Sequence, residues 1–378
     1  NRLWRSFCIS DTYEPGSTFK LITTSIALDA GVTYKGDTFK CNGWLQVMDR
    51  KLKCWNYPKA HGNEDLPKAI ANSCNVSMMH LVSRMGRETF YAGLNAFGLL
   101  EKTGVDFPGE AANIVYSKSA AGPVELATMS FGQGIAVTPV SLVTAVSAIA
   151  NGGYLLQPHL VKEIRDSDGN VVESFGRTVK NVVLSEQTSK DMLEILEYVV
   201  NNGGGGKSQI AGYRIGGKTG TAEKPSPTGG YSGYVYGSFI GVAPLDDPKM
   251  VVLVLVDSPR TADIHGSTVA APCAREIMEG VLQYLNIEPQ YTEDELKKMK
   301  SSMTTVPDLT DQGYENISGI LGRYSLDYVL SPALPDGLNI ELVVTDQYPK
   351  PGTEVLKNST VTVYYEIVNE EDEILEVN

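Results

Sequence analysis

Gly216-Gly217-Lys218-Thr219-Gly220-Thr221-Ala222-Glu223 decides how the rest of this 378-residue chain reads. Lys218 offers a cation, and Thr219 and Thr221 offer hydroxyls. Gly220 has no side chain, so a substrate can lie against this edge strand. Two short runs precede it in order: Ser17-Thr18-Phe19-Lys20 near the N-terminus, and Ser73-Cys74-Asn75 between. Each piece alone has a bland reading. Ser17 suits a helix cap, Ser73-x-Asn75 a turn, and Lys218-Thr219-Gly220 an exposed strand end. An S-x-x-K or S-x-N pattern arises by chance about once in a chain this long. A second Lys-Thr-Gly stands at Lys102-Thr103-Gly104, where Asn95–Gly104 reads as a helix end and a loop. The information lies in the ordered set and its surroundings.

Those residue types suit acyl transfer, which needs a nucleophile, a base, a proton donor for the leaving group and oxyanion donors. Ser17 and Lys20 are i, i+3 neighbours on one helix face. Ser17 falls in the first turn, where unpaired N–H groups favour negative charge. Lys20 can take the Ser17 proton only when neutral, and a nearby Lys218 ammonium lowers its pKa by repulsion. Ser73 can relay a proton to the leaving amine. Asn75 can donate to and accept from a peptide amide. Thr219 and Thr221, helped by Lys218, suit a substrate carboxylate. The backbone N–H groups of Ser17 and Thr221 are the expected oxyanion donors.

Along the chain, Glu14-Pro15-Gly16 breaks before Ser17, and a helix with Phe19, Ile22 and Ile26 on one face follows to about Gly31. A hairpin is expected over 44–56, with its turn at 49–50 or 50–51. Helices are expected over 66–72, 77–85, 87–97, 138–150, 186–201 and 269–285. Asn202-Gly203-Gly204-Gly205-Gly206 reads as a plain flexible loop. Three apolar segments, Tyr213–Thr221, Tyr236–Val242 and Met250–Asp257, suit strands covered on both faces. Charged residues 289–303 read as a linker with a short helix over Glu293–Lys300. Beyond Val306-Pro307-Asp308-Leu309, a helix (Tyr314–Arg323) and strands at 326–330, 339–345 and 360–366 are expected.

Net charge is −13 and the sequence pI about 4.9, which excludes the basic face of a nucleic-acid partner. Part of that acidity is in Glu370-Glu371-Asp372-Glu373, a tail expected to be disordered. No apolar run approaches the roughly 20 residues of a membrane span, and no signal peptide is evident at Asn1–Trp4.

The three motifs resemble the S-x-x-K, S-x-N and K-T-G motifs of penicillin-recognising serine enzymes. The chain is similar to class B penicillin-binding proteins, the monofunctional transpeptidases that cross-link peptidoglycan, over about residues 1–285. Asp11-Thr12-Tyr13-Glu14-Pro15-Gly16, Phe131-Gly132-Gln133-Gly134 and Gly237-Ser238-Phe239-Ile240-Gly241-Val242-Ala243-Pro244 extend the likeness. The run Cys54-Trp55 … His61-Gly62 … Asn72-Ser73-Cys74-Asn75 looks closest to sporulation-specific members that build spore cortex. Val306-Pro307-Asp308-Leu309 and the turn Pro349-Lys350-Pro351-Gly352-Thr353 resemble a PASTA module, a small β-α-β-β domain.

The resemblance implies an α/β fold, with a five-stranded sheet flanked by helices and the site between the sheet and an all-helical part. The domains are then 1–288 (transpeptidase), 289–303 (linker), 304–367 (PASTA-like) and 368–378 (acidic tail). It implies a stem-peptide donor ending in D-Ala-D-Ala, a covalent acyl-enzyme on Ser17, inhibition by β-lactam antibiotics, no organic cofactor, and a glycan polymerase as partner. It further implies an N-terminal membrane anchor and pedestal ahead of residue 1, hence the outer face of the bacterial cytoplasmic membrane, or the forespore envelope for a sporulation member. Two other classes stay open. A hydrolase of this fold, a carboxypeptidase or β-lactamase, has no residue marking its deacylating water, and the C-terminal module argues against it. A β-lactam-binding sensor without turnover is disfavoured by intact Ser17, Lys20 and Lys218.

Five cysteines preclude a complete disulfide framework. Cys8 and Cys273 lie in apolar surroundings and read as core thiols. Cys74 sits inside the S-x-N motif, and Cys54 and His61 precede it in a loop. Thiolates plus imidazole suit a structural Zn²⁺ with four ligands. Asp49 is the preferred fourth, on the hairpin face of Cys54, and Cys41 is the alternative. A Cys54–Cys74 disulfide or separate buried thiols are the rival readings.

Overall fold

The computed structural model describes residues 5–226, 228–333 and 341–368, with nothing described for the side chains of Met299, Glu341 and Val368. The acidic tail from residue 369 and the start of the expected strand at 339–340 lie outside the described residues. Contacts divide the chain into two units, Asn1–Gln290 and Tyr291–Asn378.

In the first unit, three antiparallel strands order as Met250–Asp257, Tyr231–Ala243 and Gly216–Pro225, the last at the edge. Met250–Asp257 reads as an unbroken apolar run because both its faces are covered. Val251, Leu253 and Leu255 pack on the helical core, while Met250, Val252, Val254 and Val256 pack with Met278 and Leu282 of the helix Ala271–Tyr284. The expected five strands reduce to three hydrogen-bonded ones among the described residues. Phe7–Phe19 goes into a four-residue helix, an extended stretch and a 3₁₀ turn, and so adds no strand to the sheet.

The other layer is helical. Lys20–Asp29 is buried along nearly its whole length and packs against Asn75–Ala96. Asn75–Ala96 is two helices joined at Gly86, whose φ of +71° and ψ of 170° break the hydrogen-bond ladder. That break is the one expected between 85 and 87. Leu66–Ala71, Pro139–Ala150 and Glu186–Asn202 complete the core around Phe19, Met78, Leu142 and Leu196. Phe131-Gly132-Gln133-Gly134 backs the turn that carries Ser17. Gly16 N–H donates to the Gly132 carbonyl at 3.0 Å, and a Cβ on Gly132 would lie 2.1 Å from the Gly16 oxygen. Only glycine permits that approach.

Cys8 and Cys273 are exposed, against the expectation of core thiols. On the helix Ala271–Tyr284 the buried stripe is Ala271, Ala274, Met278 and Leu282, and Cys273 falls off that stripe. Among the described residues no helix is long and apolar enough to cross a membrane.

In the second unit, Thr292 and Glu295 form a capping box that starts the helix Glu293–Ser302. Strand Asp327–Ser331 runs parallel to Thr360–Val368, which pairs antiparallel with Glu341–Tyr348. The helix Tyr314–Arg323 buries Ile317 and Leu321 against Val344, Val361 and Val363. Buried Gln347 holds the Val306-Pro307-Asp308-Leu309 start in place. Its Oε1 accepts from Leu309 N–H at 2.7 Å, and its Nε2 donates to the Pro307 carbonyl at 2.9 Å.

Candidate active site

Ser17 sits in a 3₁₀ turn, Gly16–Phe19, that runs directly into the helix starting at Lys20. This is tighter than the first α-turn expected, and it leaves Ser17 half-buried at a cleft wall while Lys20 is 0 % exposed. Ser73 arrives from another direction. The helix Leu66–Ala71 ends with Ser73 N–H bonded to Ile70 O and Cys74 N–H bonded to Ala69 O, the paired bonds of a Schellman cap. Ser73 therefore occupies the left-handed position that normally selects glycine, at φ +54°. That conformation costs a non-glycine residue about 1–2 kcal/mol. Cys74 then serves as N-cap of the next helix, so one short connection presents Ser73 and Asn75 together.

The hydroxyl of Ser73 joins the cluster. It donates to Ser17 Oγ at 2.8 Å and accepts from Lys20 Nζ at 3.0 Å. Lys20 Nζ also donates to Asn75 Oδ1 at 2.7 Å and to the Ser73 carbonyl at 2.6 Å. Burial lowers the Lys20 pKa to about 8, against partial support from the nearby Cys74 and Cys54 sulfurs. Lys218, 1 % exposed, is pushed well below the usual lysine range, first by burial and then by the Lys20 charge. Burial is thus the largest influence that brings Lys20 toward neutrality.

Ser17, Ser73, Thr219, Gly220 and Thr221 line one cleft of about 610 Å³, together with Trp55, Gly203, Gly204 and His265. Lys218 Nζ donates to the Thr219 carbonyl at 3.0 Å, and Thr221 Oγ1 accepts from Gly266 N–H at 3.3 Å. Gly220 lacks a side chain for a different reason from the one expected. A Cβ there would lie 2.4 Å from Ser238 Oγ and 3.2 Å from the Thr18 methyl, so packing behind the strand demands glycine. The second Lys-Thr-Gly is elsewhere: Thr103 and Gly104 wrap the Glu110 carboxylate in a loop.

Next to the cleft, Cys41, Cys54, His61 and Cys74 converge, with all ligand atoms within 4.8 Å of one another. The three cysteines are buried and are free thiols. Cys54 Sγ lies 3.6 Å from His61 Nδ1 and accepts from Asn75 N–H at 3.4 Å. The Cys74 thiol, and after it the backbone N–H groups of Asn75, Asn56 and Val76, hold Cys54 low, at about 4. The hydrogen bond between its thiol and Cys54, and after it burial, push Cys74 up. Three soft sulfurs and one imidazole suit tetrahedral zinc, so the donor set fits. Asp49 is not in the cluster. The hairpin turns at Met48-Asp49, with Val47 opposite Arg50, one residue earlier than expected. Asp49 therefore leaves the ladder, sits at the tip with its side chain 85 % exposed, and faces Arg50. Cys41 fills the fourth place, just before Gly43, whose carbonyl accepts from Cys54 N–H at 2.8 Å and closes the hairpin base.

The amino-acid sequence matches the penicillin binding protein transpeptidase domain over residues 1–279 and the PASTA domain over residues 304–366. The chain belongs to the penicillin-binding protein transpeptidase family. Stage V sporulation protein D of Bacillus subtilis (strain 168) is 38% identical over 373 residues, 98% of this chain and 56% of that protein. Peptidoglycan D,D-transpeptidase FtsI of Escherichia coli (strain K12) is 31% identical over 290 residues, 75% of this chain and 46% of that protein. The chain spans about half the length of the curated relatives it matches. Among solved structures, penicillin binding protein 3 from Mycobacterium tuberculosis complexed with aztreonam aligns with a TM-score of 0.70 at 28% identity, covering 76% of this chain and 66% of that one. The transpeptidase domain of penicillin-binding protein 3 from Burkholderia pseudomallei aligns with a TM-score of 0.68 at 30% identity, covering 76% and 84%.

Two parts of the cleft of this penicillin-binding protein are not signalled by its motifs. The Gly203-Gly204 segment is more than a plain loop. A Cβ on Gly203 would lie 2.7 Å from the Ala71 carbonyl, and one on Gly204 3.1 Å from Thr219 Oγ1. The glycines let the chain pass between the two walls, and their run of four is the signal that was available. Trp55 is the other. It is 61 % exposed, yet its indole N–H donates to the Asn72 carbonyl at 2.9 Å.

Proposed function

We propose that this penicillin-binding protein is a serine D,D-transpeptidase that cross-links peptidoglycan through an acyl-enzyme on Ser17. The hydrogen-bonded Ser17–Ser73–Lys20 cluster at the wall of the cleft carries the reading. Neutral Lys20 takes the Ser17 proton through the Ser73 hydroxyl. At pH 7 about a tenth of Lys20 is neutral, given its pKa of about 8. Ser17 Oγ attacks the carbonyl carbon of the penultimate D-Ala. The backbone N–H groups of Ser17 and Thr221 receive the oxyanion. The C–N bond breaks, and terminal D-alanine leaves with the proton returned from Lys20 by way of Ser73. An acceptor amine then attacks the ester carbon, the C–O bond breaks, and the amine proton goes back to Ser17 along the same path. Thr219 and Thr221, with Lys218 beneath them, hold the substrate carboxylate, and Asn75 holds the donor amide. A β-lactam ring opens at its C–N bond on Ser17 in the same way and has no leaving group to depart.

Cys41, Cys54, His61 and Cys74 would hold one zinc ion. Its contribution is cross-linking: bound thiolates tether the S-x-N connection and help hold Ser73 in its left-handed conformation. The Cys54-Trp55 to Asn75 run and the stage V sporulation relative support a role in spore cortex synthesis. Accumulation of the protein equally in growing and sporulating cells would count against that role. The site would then work outside the cytoplasmic membrane, where peptidoglycan lies, or in the forespore envelope, alongside a glycan polymerase.

Intact-protein mass spectrometry with penicillin, followed over hours, tests the central reading. One lasting adduct per chain is expected. Rapid loss of the adduct would point to a hydrolase, and absence of any adduct would overturn the acyl-enzyme.

A further inference from the structure

Trp55 and the hairpin joined to it are unexplained by the chemistry above. An exposed aromatic ring is ordinary, but this one is anchored on the cleft wall. Its indole N–H is held by the Asn72 carbonyl, and the Asn72 side chain donates in turn to buried Glu64. Immediately before it, the hairpin Trp44–Lys53 buries Leu45, Val47 and Leu52 against the core and turns Trp44, Lys51 and Lys53 outward. Lys51 Nζ lies 4.1 Å from the Trp44 ring centre, and Lys53 Nζ 4.8 Å from that of Tyr57. Neither lysine has a carboxylate partner among the described residues. Residues 40–68 carry six Lys and Arg against three Asp and Glu, in a chain of net charge −13. A cationic, aromatic face therefore leads in sequence directly to Trp55, which lines the cleft with Asn72 and Ser73.

We propose that Trp55 and the outward face of the 44–53 hairpin dock the carboxylate-bearing peptide whose amine accepts the acyl group. The inference rests on the acyl-transfer reading above, and direction of approach is its argument. The edge strand Gly216–Pro225 supplies the groups that hold the donor's carboxylate end, so the acceptor approaches from the opposite wall. The proton of the attacking amine must reach Ser73, which stands on that wall beside Trp55 and Asn72. Carboxylates along the incoming peptide meet Lys51 and Lys53, while Trp55 packs on its apolar atoms. Trp55 is thus a substrate-positioning residue, fixed before the acceptor arrives.

The test partitions one acyl-enzyme between two acceptors. A thioester ending in D-alanyl-thioglycolate loads Ser17 in the full chain, and the adduct is seen by mass before any acceptor is added. Products are then compared for a disaccharide tetrapeptide, which bears carboxylates, and for glycine amide, which bears none. Because the readout is the ratio of the two products, any change in acylation divides out. The double substitution Lys51→Glu, Lys53→Glu should lower the tetrapeptide-to-amide ratio about tenfold. Added salt should lower the same ratio in the unsubstituted protein, and Trp55→Ala should lower it too. A ratio unchanged by the charge reversal, or equal losses on both acceptors, overturns the docking face. If no acyl-enzyme forms in the first place, the acyl-transfer reading itself has failed, and the docking face falls with it.

Discussion

The Asn75 backbone N–H donates to Cys54 Sγ at 3.4 Å, while the Asn75 side chain accepts from Lys20 at 2.7 Å. One residue therefore belongs both to the sulfur cluster and to the Ser17–Ser73–Lys20 cluster. Ser73, one residue before Cys74, holds a left-handed conformation that costs a non-glycine residue about 1–2 kcal/mol. What happens to the sulfurs reaches Ser73 and Asn75 through this connection.

Elemental analysis of protein purified without added metal should find close to one equivalent of zinc. Removing it with a chelator should lower Tm by several degrees and slow penicillin acylation about tenfold or more. Asp49→Ala should leave the zinc in place, and Cys41→Ser should lose it. Less than about a tenth of an equivalent, or a mass two hydrogens short from a Cys54–Cys74 disulfide, sinks the site.

Ser17→Ala should abolish the covalent β-lactam adduct and leave the circular dichroism spectrum and Tm nearly unchanged. An adduct that persists in the alanine variant would place the nucleophile elsewhere.

Lys218→Ala should slow acylation by about 100-fold or more, since it removes a buried donor that braces Thr219 at the cleft. Lys102→Ala should change the rate by less than about twofold, because that loop contacts Glu110 and not the cleft. Stopped-flow measurement with a chromogenic cephalosporin separates the two; the opposite pattern would show that the wrong strand has been assigned.

The acylation rate should rise with pH. Protonated Lys20 cannot accept the Ser17 proton, and its pKa is held near 8 by burial. Below that value the neutral fraction grows about tenfold per pH unit, and above it the rate should level off. A profile flat from pH 6 to 9 would remove Lys20 as the base.

Residues 1–290 should fold alone and acylate at close to the full-length rate. Ending at Leu285 instead should cost stability, because Ile287 packs against the outer face of the sheet and its carbonyl accepts from Tyr213 at 2.6 Å. Unfolding of the 1–290 chain, seen by circular dichroism, would refute the division.

The ordered motifs, the strand Met250–Asp257, the helix break at Gly86 and the Val306-Pro307-Asp308-Leu309 start were all legible in the amino-acid sequence. Each depends on local chemistry: residue type, period, or a backbone conformation that glycine favours. The expectations that failed depend on register or on which face of an element is buried. A turn one residue earlier moved Asp49 from a sheet face to an exposed tip. Cys273 lies in an apolar sequence but off the buried stripe of its helix. Gly220 is required by Ser238 and Thr18, residues distant in the chain. The four sulfur and nitrogen ligands come together only because the hairpin base, the 54–61 loop and the Schellman turn meet at one point. The sequence alone determined the chemistry these residues can carry, since that follows from the functional groups and their order. Only the tertiary structure decided which groups share a cleft and that both Lys20 and Lys218 are buried and lowered, because burial and distances between far-separated residues are properties of the packed chain.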